Sequence, residues 1–202
     1  MASGPSSRLK PITTYIHKCM LKVDVLEDTT IIDTQTIVLL HFGIKEIVVI
    51  TGFGANKLKK HLEKYNSHVN IKFVNNKKYK ETYPAYTFWI TKKYLGDDFI
   101  YLNGDVVFHL EVLGSVIKSK KDSITAIKKT SWDKEEVHVI LDKNSNVLEI
   151  GKHLSKKLSA GEFVSITKIG KEFLNKFING LDYFHEKGEY KKFATDAINL
   201  AI

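Results

Sequence analysis

The amino-acid sequence predicts an α/β fold in which helices flank a mostly parallel sheet and the C-terminal half is partly antiparallel. Up to Lys121, short β-branched runs alternate with segments of helical periodicity, a pattern typical of parallel strands joined by helices. Beyond Lys121, strand-like runs follow one another directly, which favours antiparallel hairpins. The 202 residues, 43% of them hydrophobic, are enough for one domain, and we predict a single domain over 1–202.

In the first half, the clearest strand is 44–51, a β-branched run predicted to be buried on both faces. Asp33 is predicted to cap a helix before this strand, and Gly43 is placed to end that helix. Apolar residues at helical spacing predict an amphipathic helix over 55–65. The alternation continues with a strand at 70–74, a helix at 84–95, a strand at 99–102 and a helix at 110–118.

In the second half, a turn-prone stretch at 142–145 separates two short apolar runs and predicts a hairpin. The predicted strands are 123–128, 136–141, 147–150 and 161–167, and the predicted helices are 170–179 and 189–201.

The net charge of +8 comes almost wholly from lysine, since Arg8 is the only arginine. Positive charge attracts nucleic acid, but it serves anionic nucleotides and phosphorylated metabolites equally well. The lysines are scattered, whereas nucleic-acid binders generally line a groove with arginines and aromatic rings, so nucleic acid is disfavoured as a partner. The lone Cys19 disfavours disulfide and zinc chemistry.

The sequence shows neither a secretory signal nor an apolar stretch long enough to span a bilayer. We therefore expect a cytoplasmic protein with no membrane partner. Hydrolase and P-loop motifs are also absent from the sequence, which argues against those two chemistries.

The N-terminal segment carries the first candidate site. Small residues at Gly4, Ser6 and Ser7 let backbone N–H groups approach phosphate oxygens, and Arg8 and Lys18 supply positive charge. Such a loop is suited to holding a nucleoside triphosphate. The alternative is an unstructured tail that happens to contain one arginine.

A second candidate site follows the predicted strand at 99–102. Asn103 and Asp105 lie directly beyond its carboxyl end, where open α/β sheets bind ligands. A carboxylate at this position can bind Mg²⁺, a hard cation that prefers oxygen ligands and bridges substrate phosphates. The alternative for Asp105 is a helix cap.

The N-terminal motif resembles the signature of the sugar-1-phosphate nucleotidyltransferases, G-x-G-x-R-L-x-P-x-T followed by P-K. The chain matches it at Gly4, Arg8, Leu9, Pro11, Thr13 and Lys18. Ser6 replaces the second glycine, and His17 replaces the usual proline. The family's first strand precedes this loop, so we expect that strand to be missing or truncated here. In length and in its His-Lys form, the chain is most similar to phosphocholine cytidylyltransferase-like members.

The resemblance implies a Rossmann-like fold of the nucleotide-diphospho-sugar transferase type and a Mg²⁺-dependent reaction. An NMP unit would pass from an NTP, with CTP favoured, to a small phosphorylated acceptor, and pyrophosphate would leave. The acceptor would be a phosphocholine-like phosphoalcohol or a sugar 1-phosphate. The resemblance assigns catalysis to Arg8 and Lys18, nucleotide binding to Gly4, Ser6, Ser7, Gly52 and Asn103, and metal binding to Asp105 and Asp196. For Asp196, a helix cap or a solvent-facing position stays open.

Acceptor contacts are assigned by the same resemblance to Tyr83, Thr87 and Glu162. Tyr83 stands where the family has an asparagine. The aromatic residues near it could form either a wall for a quaternary ammonium group or part of the core. A non-catalytic nucleotide-binding or regulatory module is the alternative function, a nucleic-acid binder is a weaker one, and a homodimer stays open.

Overall fold

The computed structural model describes residues 16–23, 28–96, 98–130 and 132–202. The predictions for the first strand and for Gly4, Ser6, Ser7 and Arg8 lie outside these residues. The chain divides into two compact units, Met1–Glu81 with Leu102–Gly114 and Thr82–Tyr101 with Ser115–Ile202, called here the first and the second unit. A single domain over 1–202 stays a prediction.

The first unit contains a parallel strand pair. Strand β1 (Glu46–Thr51) pairs with β2 (Asn70–Asn75) in an unbroken register from one end to the other. Exposure decreases along β1, from an exposed Glu46 to a buried Thr51. The predicted burial on both faces therefore holds only for the carboxyl-terminal half of the strand.

Helix α1 (Ile31–His41) begins with a reciprocal cap. The Thr30 side chain accepts a hydrogen bond from Asp33 N, and the Asp33 carboxylate accepts one from Thr30 N. The prediction that Asp33 is the cap was therefore wrong by three positions, because in this arrangement the threonine caps and the acidic residue reaches back to it. Gly43, with φ +76°, follows the helix as predicted.

Helix α2 (Ala55–Leu62) continues into the 3₁₀ turn Glu63–Tyr65, and the two together span the predicted amphipathic helix 55–65. Its leucines join a buried cluster that draws on four segments of the first unit: Cys19, Ile32, Val49, Leu58 and Leu62. This core cluster holds α1, β1, α2 and the turn at Lys18 together.

The second sheet has the strand order β3, β7, β5, β6, and β4 pairs with β7. Its strands are β3 (Phe99–Leu102), β4 (Ile124–Lys128), β5 (His138–Leu141), β6 (Val147–Gly151) and β7 (Gly161–Ile169). The β4–β7, β5–β6 and β5–β7 pairs are antiparallel. The predicted α/β class, with a partly antiparallel C-terminal half, is confirmed.

The remaining helices are α3 (Pro84–Trp89), α4 (Leu110–Lys118), α5 (Lys171–Glu186) and α6 (Ala194–Ala201). Helix α5 runs past its predicted end because Gly180 is a packing residue, with an added Cβ only 3.1 Å from Ala197 O of α6. Helix α6 starts later than predicted because the segment before it accepts hydrogen bonds from the start of α3 at Tyr190 O and Lys192 O. Helix α3 is shorter than predicted and is followed by the 3₁₀ turn Lys92–Tyr94.

Among the described residues, none of the helices is both long and apolar enough to cross a membrane.

Candidate active site

Lys18 and Asp105 form an ion pair in the first unit. Lys18 Nζ lies 2.7 Å from Asp105 Oδ2, although 87 positions separate the two residues in the chain. The two side chains are 34% and 39% exposed, so a ligand can reach both. The structure therefore brings one predicted catalytic residue directly against one predicted metal ligand.

The backbone under Lys18 is anchored from both sides. His17 Nδ1 accepts a hydrogen bond from Cys19 N at 3.2 Å and caps the 3₁₀ turn Lys18–Met20. The Cys19 side chain is fully buried in the core cluster, and burial raises the pKa of its thiol to about 12. The cysteine therefore stays protonated and serves as an apolar anchor, which fixes the turn that presents Lys18.

The loop after β1 lies beside this turn. Gly52 forms an isolated bridge with Gly54, and Gly54 has φ +65°, a conformation that glycine adopts without strain. A Cβ added at Gly54 would lie 3.9 Å from the Cβ of His17. Gly52, a predicted nucleotide contact, is thus two positions from a backbone segment that borders the Lys18 turn.

The loop that carries Asp105 is held by a residue that the sequence reasoning missed. Gln35 Nε2 of α1 donates to Asn103 O and to Val106 O, both at 2.8 Å. Gln35 is 4% exposed and lies three positions after the buried Ile32, on the buried face of α1. Its helical spacing from Ile32 and Leu39, three residues before it and four after it, was the signal available in the sequence.

Asp105 suits a hard divalent cation. Mg²⁺ usually keeps several waters and uses only one or two protein carboxylates with the substrate phosphates, so it needs no dense cluster of protein ligands. Within the described ranges, no group of three or more His, Cys, Asp or Glu side chains could hold a metal ion. A single accessible carboxylate beside a lysine fits Mg²⁺ bound together with a nucleotide, and does not fit a structural metal held by protein alone.

A family model described as Nucleotidyl transferase matches residues 1–149. The chain belongs to this family. The match includes the segment with Gly4, Ser6, Ser7 and Arg8 as well as the Lys18 turn and the Asp105 loop, so the recognition made from the N-terminal motif is confirmed.

Known nucleotidyltransferases resemble the chain over most of its length. A CTP:phosphoglutamine cytidylyltransferase from Campylobacter jejuni is 27% identical over 195 residues, which cover 88% of this chain and 74% of that protein. The inositol-1-phosphate CTP transferase from T. maritima matches with a TM-score of 0.79 and 20% identity, covering 99% and 78% of the two chains. The CTP:phosphocholine cytidylyltransferase from Streptococcus pneumoniae matches with a TM-score of 0.72 and 18% identity, covering 98% and 81%. The two structural matches establish the shared fold.

The residues that are predicted to contact the acceptor substrate of this nucleotidyltransferase belong to the second unit. Tyr83 precedes α3 and is 42% exposed, with its ring centroid 5.0 Å from that of Phe193. Thr87 is buried, and its hydroxyl donates to Tyr83 O at 3.4 Å. Glu162 lies on β7 with its carboxylate 3.9 Å from Lys128 Nζ. Their acceptor roles stay predictions.

Asp196 lies in the first turn of α6, near the start of α3. Its Oδ2 accepts a hydrogen bond from Phe193 N at 2.7 Å, so it reaches back to the N-cap residue of the helix. Tyr83 N donates to Tyr190 O in the segment that leads into the same helix. The structure therefore groups Tyr83 with Asp196 within the second unit, and metal binding by Asp196 stays a prediction.

The aromatic residues of α3 face two different environments. Phe88 is 4% exposed and packs edge-on against Tyr101 and Phe177, which makes it a core residue. Trp89 stacks on His185 with ring centroids 3.3 Å apart, and its indole N–H donates to Asp182 Oδ1 at 2.9 Å. These contacts tie α3 to α5 and make Phe88 and Trp89 part of the packing between the two helices.

Proposed function

We propose that this nucleotidyltransferase transfers the NMP unit of an NTP, with CTP favoured, to the phosphate of a small acceptor and releases pyrophosphate. The observation that carries the proposal is the accessible pair of Lys18 and Asp105, held 2.7 Å apart in a chain of this family. CTP is favoured because the three relatives described above all carry CTP in their names.

The reaction is a direct displacement at the α-phosphorus. An oxygen of the acceptor phosphate forms a bond to this phosphorus, and the bond from it to the oxygen that bridges to the β-phosphorus breaks. The departing pyrophosphate keeps the electron pair of the broken bond. In transfers of this type, positioning and charge neutralisation supply most of the rate, so the site needs cations and backbone donors more than it needs a protein nucleophile.

Among the residues that the structure describes, Lys18 is the proposed catalytic cation. An ammonium group has three N–H donors, so Lys18 can keep its contact with Asp105 while donating to the α-phosphate and the acceptor phosphate. The short turn at His17 and the burial of Cys19 limit the movement of its backbone. Lys18 thereby reduces the repulsion between two anionic reactants.

Asp105 and Asp196 are the proposed Mg²⁺ ligands, and the bound ion would neutralise phosphate charge during the displacement. Arg8 is proposed to neutralise the departing pyrophosphate. The predicted backbone contacts to the nucleotide come from Gly4, Ser6, Ser7, Gly52 and Asn103.

The acceptor is proposed to be a phosphocholine-like phosphoalcohol or a sugar 1-phosphate, held by Tyr83, Thr87 and Glu162. The three relatives are named for three different phosphorylated acceptors, so members at this distance differ in the group that they recognise beyond the phosphate. The shared chemistry is an acceptor phosphate oxygen.

The test is a panel in which the protein and Mg²⁺ are mixed with each of the four NTPs and with phosphocholine, inositol 1-phosphate, glucose 1-phosphate or a phosphorylated glutamine. Pyrophosphate release that requires one acceptor, with CTP the best donor, supports the proposal. Nucleotide binding without pyrophosphate release for every combination would support a non-catalytic module instead.

A further inference from the structure

We infer that Gln35 is a positioning residue that holds the Asp105 loop in its active geometry. The inference rests on the proposed function, because it gives Gln35 a role in the chemistry at Asp105. Gln35 itself acts through the backbone of the loop and need not contact the substrates.

The contacts of Gln35 bracket Asp105. Its amide nitrogen donates to the carbonyl oxygens of Asn103 and Val106, each at 2.8 Å. One carbonyl lies before Asp105 and the other directly after it. A loop pinned on both sides of a residue has little freedom to shift that residue, and displacements of about 1 Å can cost about 100-fold in rate.

Burial makes this choice of side chain informative. Gln35 is 4% exposed on a helix face shared with Ile32 and Leu39. Burying an amide without partners costs about 1–3 kcal/mol, so an apolar residue of similar size would suit this face better on packing alone. The two hydrogen bonds to the loop offset that cost, and they are directed at the one loop that carries Asp105.

Helix α1 also supports the other half of the pair. Ile32, one turn before Gln35, packs in the core cluster with Cys19, which follows Lys18 in sequence. One helix therefore contacts the segment of Lys18 through Ile32 and the loop of Asp105 through Gln35. Because a helix is stiff over a single turn, it can fix the separation of two residues that lie 87 positions apart.

The matched variants are Gln35→Met and Thr36→Val. Methionine is close to glutamine in size but has no N–H donor. Thr36 is the buried neighbour on α1, and its hydroxyl donates to Ile32 O within the same helix. Thr36→Val thus removes a buried hydrogen bond from α1 without touching the loop.

In steady-state assays with saturating CTP and acceptor, we expect Gln35→Met to lower kcat by about 10- to 100-fold, as for residues that orient metal ligands. The Mg²⁺ concentration that gives half-maximal velocity should rise in the same variant. Thr36→Val should leave kcat and the Mg²⁺ dependence within about twofold of the wild type. Unchanged kcat and Mg²⁺ dependence in a folded Gln35→Met protein would overturn the inference.

Amide hydrogen exchange, followed by mass spectrometry without nucleotide or metal, gives a readout independent of turnover. Exchange in a peptide covering 102–107 should be at least about 10-fold faster in Gln35→Met than in Thr36→Val. The peptides that cover α1 should exchange at similar rates in both variants. If the wild type shows no transfer, the proposed function fails, and this comparison alone decides whether Gln35 holds the loop. Equal exchange in the two variants would refute the inference that Gln35 holds the loop.

If Gln35→Met does not fold, the isosteric Gln35→Glu, which lacks both donors when ionised, takes its place with the same expectations.

Discussion

At the scale of single residues, the Lys18–Asp105 pair is better explained by chemistry than by stability. Ion pairs at this level of exposure contribute about 0–1 kcal/mol to folding, because water and salt screen them. Both members are about one third exposed. Holding two opposite charges together at an accessible position therefore adds little to the fold, whereas it places a cation beside the carboxylate that is proposed to bind Mg²⁺.

Lys18→Ala should accordingly separate activity from stability. We expect kcat/KM for CTP to fall by about 100- to 1,000-fold, as when one electrostatic donor is removed from a transition state. The free energy of unfolding, measured with urea, should change by less than about 1 kcal/mol. Pyrophosphate release and urea titration check the two parts.

Lys22→Ala is the control for Lys18→Ala. Lys22 pairs with Asp28, and these side chains are 68% and 86% exposed. Its removal deletes a lysine and an ion pair from the same region of the chain without touching the site. Equal losses of activity in the two variants would show that general positive charge, and not the position of Lys18, supports turnover.

The backbone conformation of Ser165 allows a separate prediction about stability. It lies within β7 with φ +57°, in the left-handed region that costs a residue with a Cβ about 1–2 kcal/mol. Ser165→Gly and Ser165→Ala both delete the hydroxyl and differ only in the Cβ. We expect the glycine variant to be more stable than the alanine variant by about 1 kcal/mol in urea unfolding. An alanine variant as stable as the glycine variant would argue against a left-handed backbone here.

At the scale of elements, a buried carboxylate joins α1 to α2 and the turn that follows it. Asp33 is 1% exposed and receives contacts from His61 Nε2 and Lys64 Nζ at 2.9 Å and from the Tyr65 hydroxyl at 3.0 Å. Burial alone would raise the pKa of Asp33, but the hydrogen bonds from Thr30, Lys64 and His61 outweigh it and hold this pKa well below its usual value. Burial and the Asp33 charge raise the pKa of Tyr65.

This network predicts a specific pH dependence for Asp33→Asn. Because the pKa of Asp33 is lower in the folded than in the unfolded state, its contribution to stability is complete above the unfolded value of about 3.9 and is lost as the pH falls below it. At pH 7, Asp33→Asn should lower the free energy of unfolding by about 3 kcal/mol. In urea titrations from pH 7 to pH 3, the difference in free energy of unfolding between the wild type and Asp33→Asn should be constant at first and should narrow below about pH 4.

Asp28→Asn provides the matched control, since Asp28 is an exposed aspartate of the same unit that also pairs with a lysine. Its effect on stability should be much smaller than that of Asp33→Asn at every pH, because water screens an exposed ion pair. A constant difference between the wild type and Asp33→Asn down to pH 3 would contradict the assigned ionisation of Asp33.

Elements were easier to predict from the sequence than the contacts between them. Alternating periodicity located β1, β3 and α4 well, because local apolar spacing decides those elements. The extension of α5 past Gly180 and the delayed start of α6 depend on packing and hydrogen bonds between distant segments. Gln35 was missed for the same reason, since its hydrogen-bond acceptors lie 68 and 71 positions away.

The sequence was more informative about chemistry than about placement. The family motif identified Lys18 and Asp105 separately, and the structure adds their contact. It also shows that Asp196 accepts a hydrogen bond from the N-cap residue Phe193 at the start of α6. No spacing rule could have given the Lys18–Asp105 contact, because it depends on how the folded chain places two segments that lie 87 positions apart.

At the scale of the whole molecule, membership of the nucleotidyltransferase family and the net charge of +8 both favour anionic substrates. The central claim is that the chain joins an NMP unit to an acceptor phosphate at the site of Lys18 and Asp105.

The most direct test is ³¹P NMR of CTP, Mg²⁺ and the best acceptor of the panel, with the wild type and with Asp105→Asn in parallel. With the wild type, we predict that pyrophosphate and a new diphosphate-linked product appear in equal amounts while the acceptor signal declines. With Asp105→Asn, both rates should fall together by at least about 100-fold. The account is contradicted if CTP yields only CMP, if the acceptor signal does not change, or if Asp105→Asn turns over like the wild type.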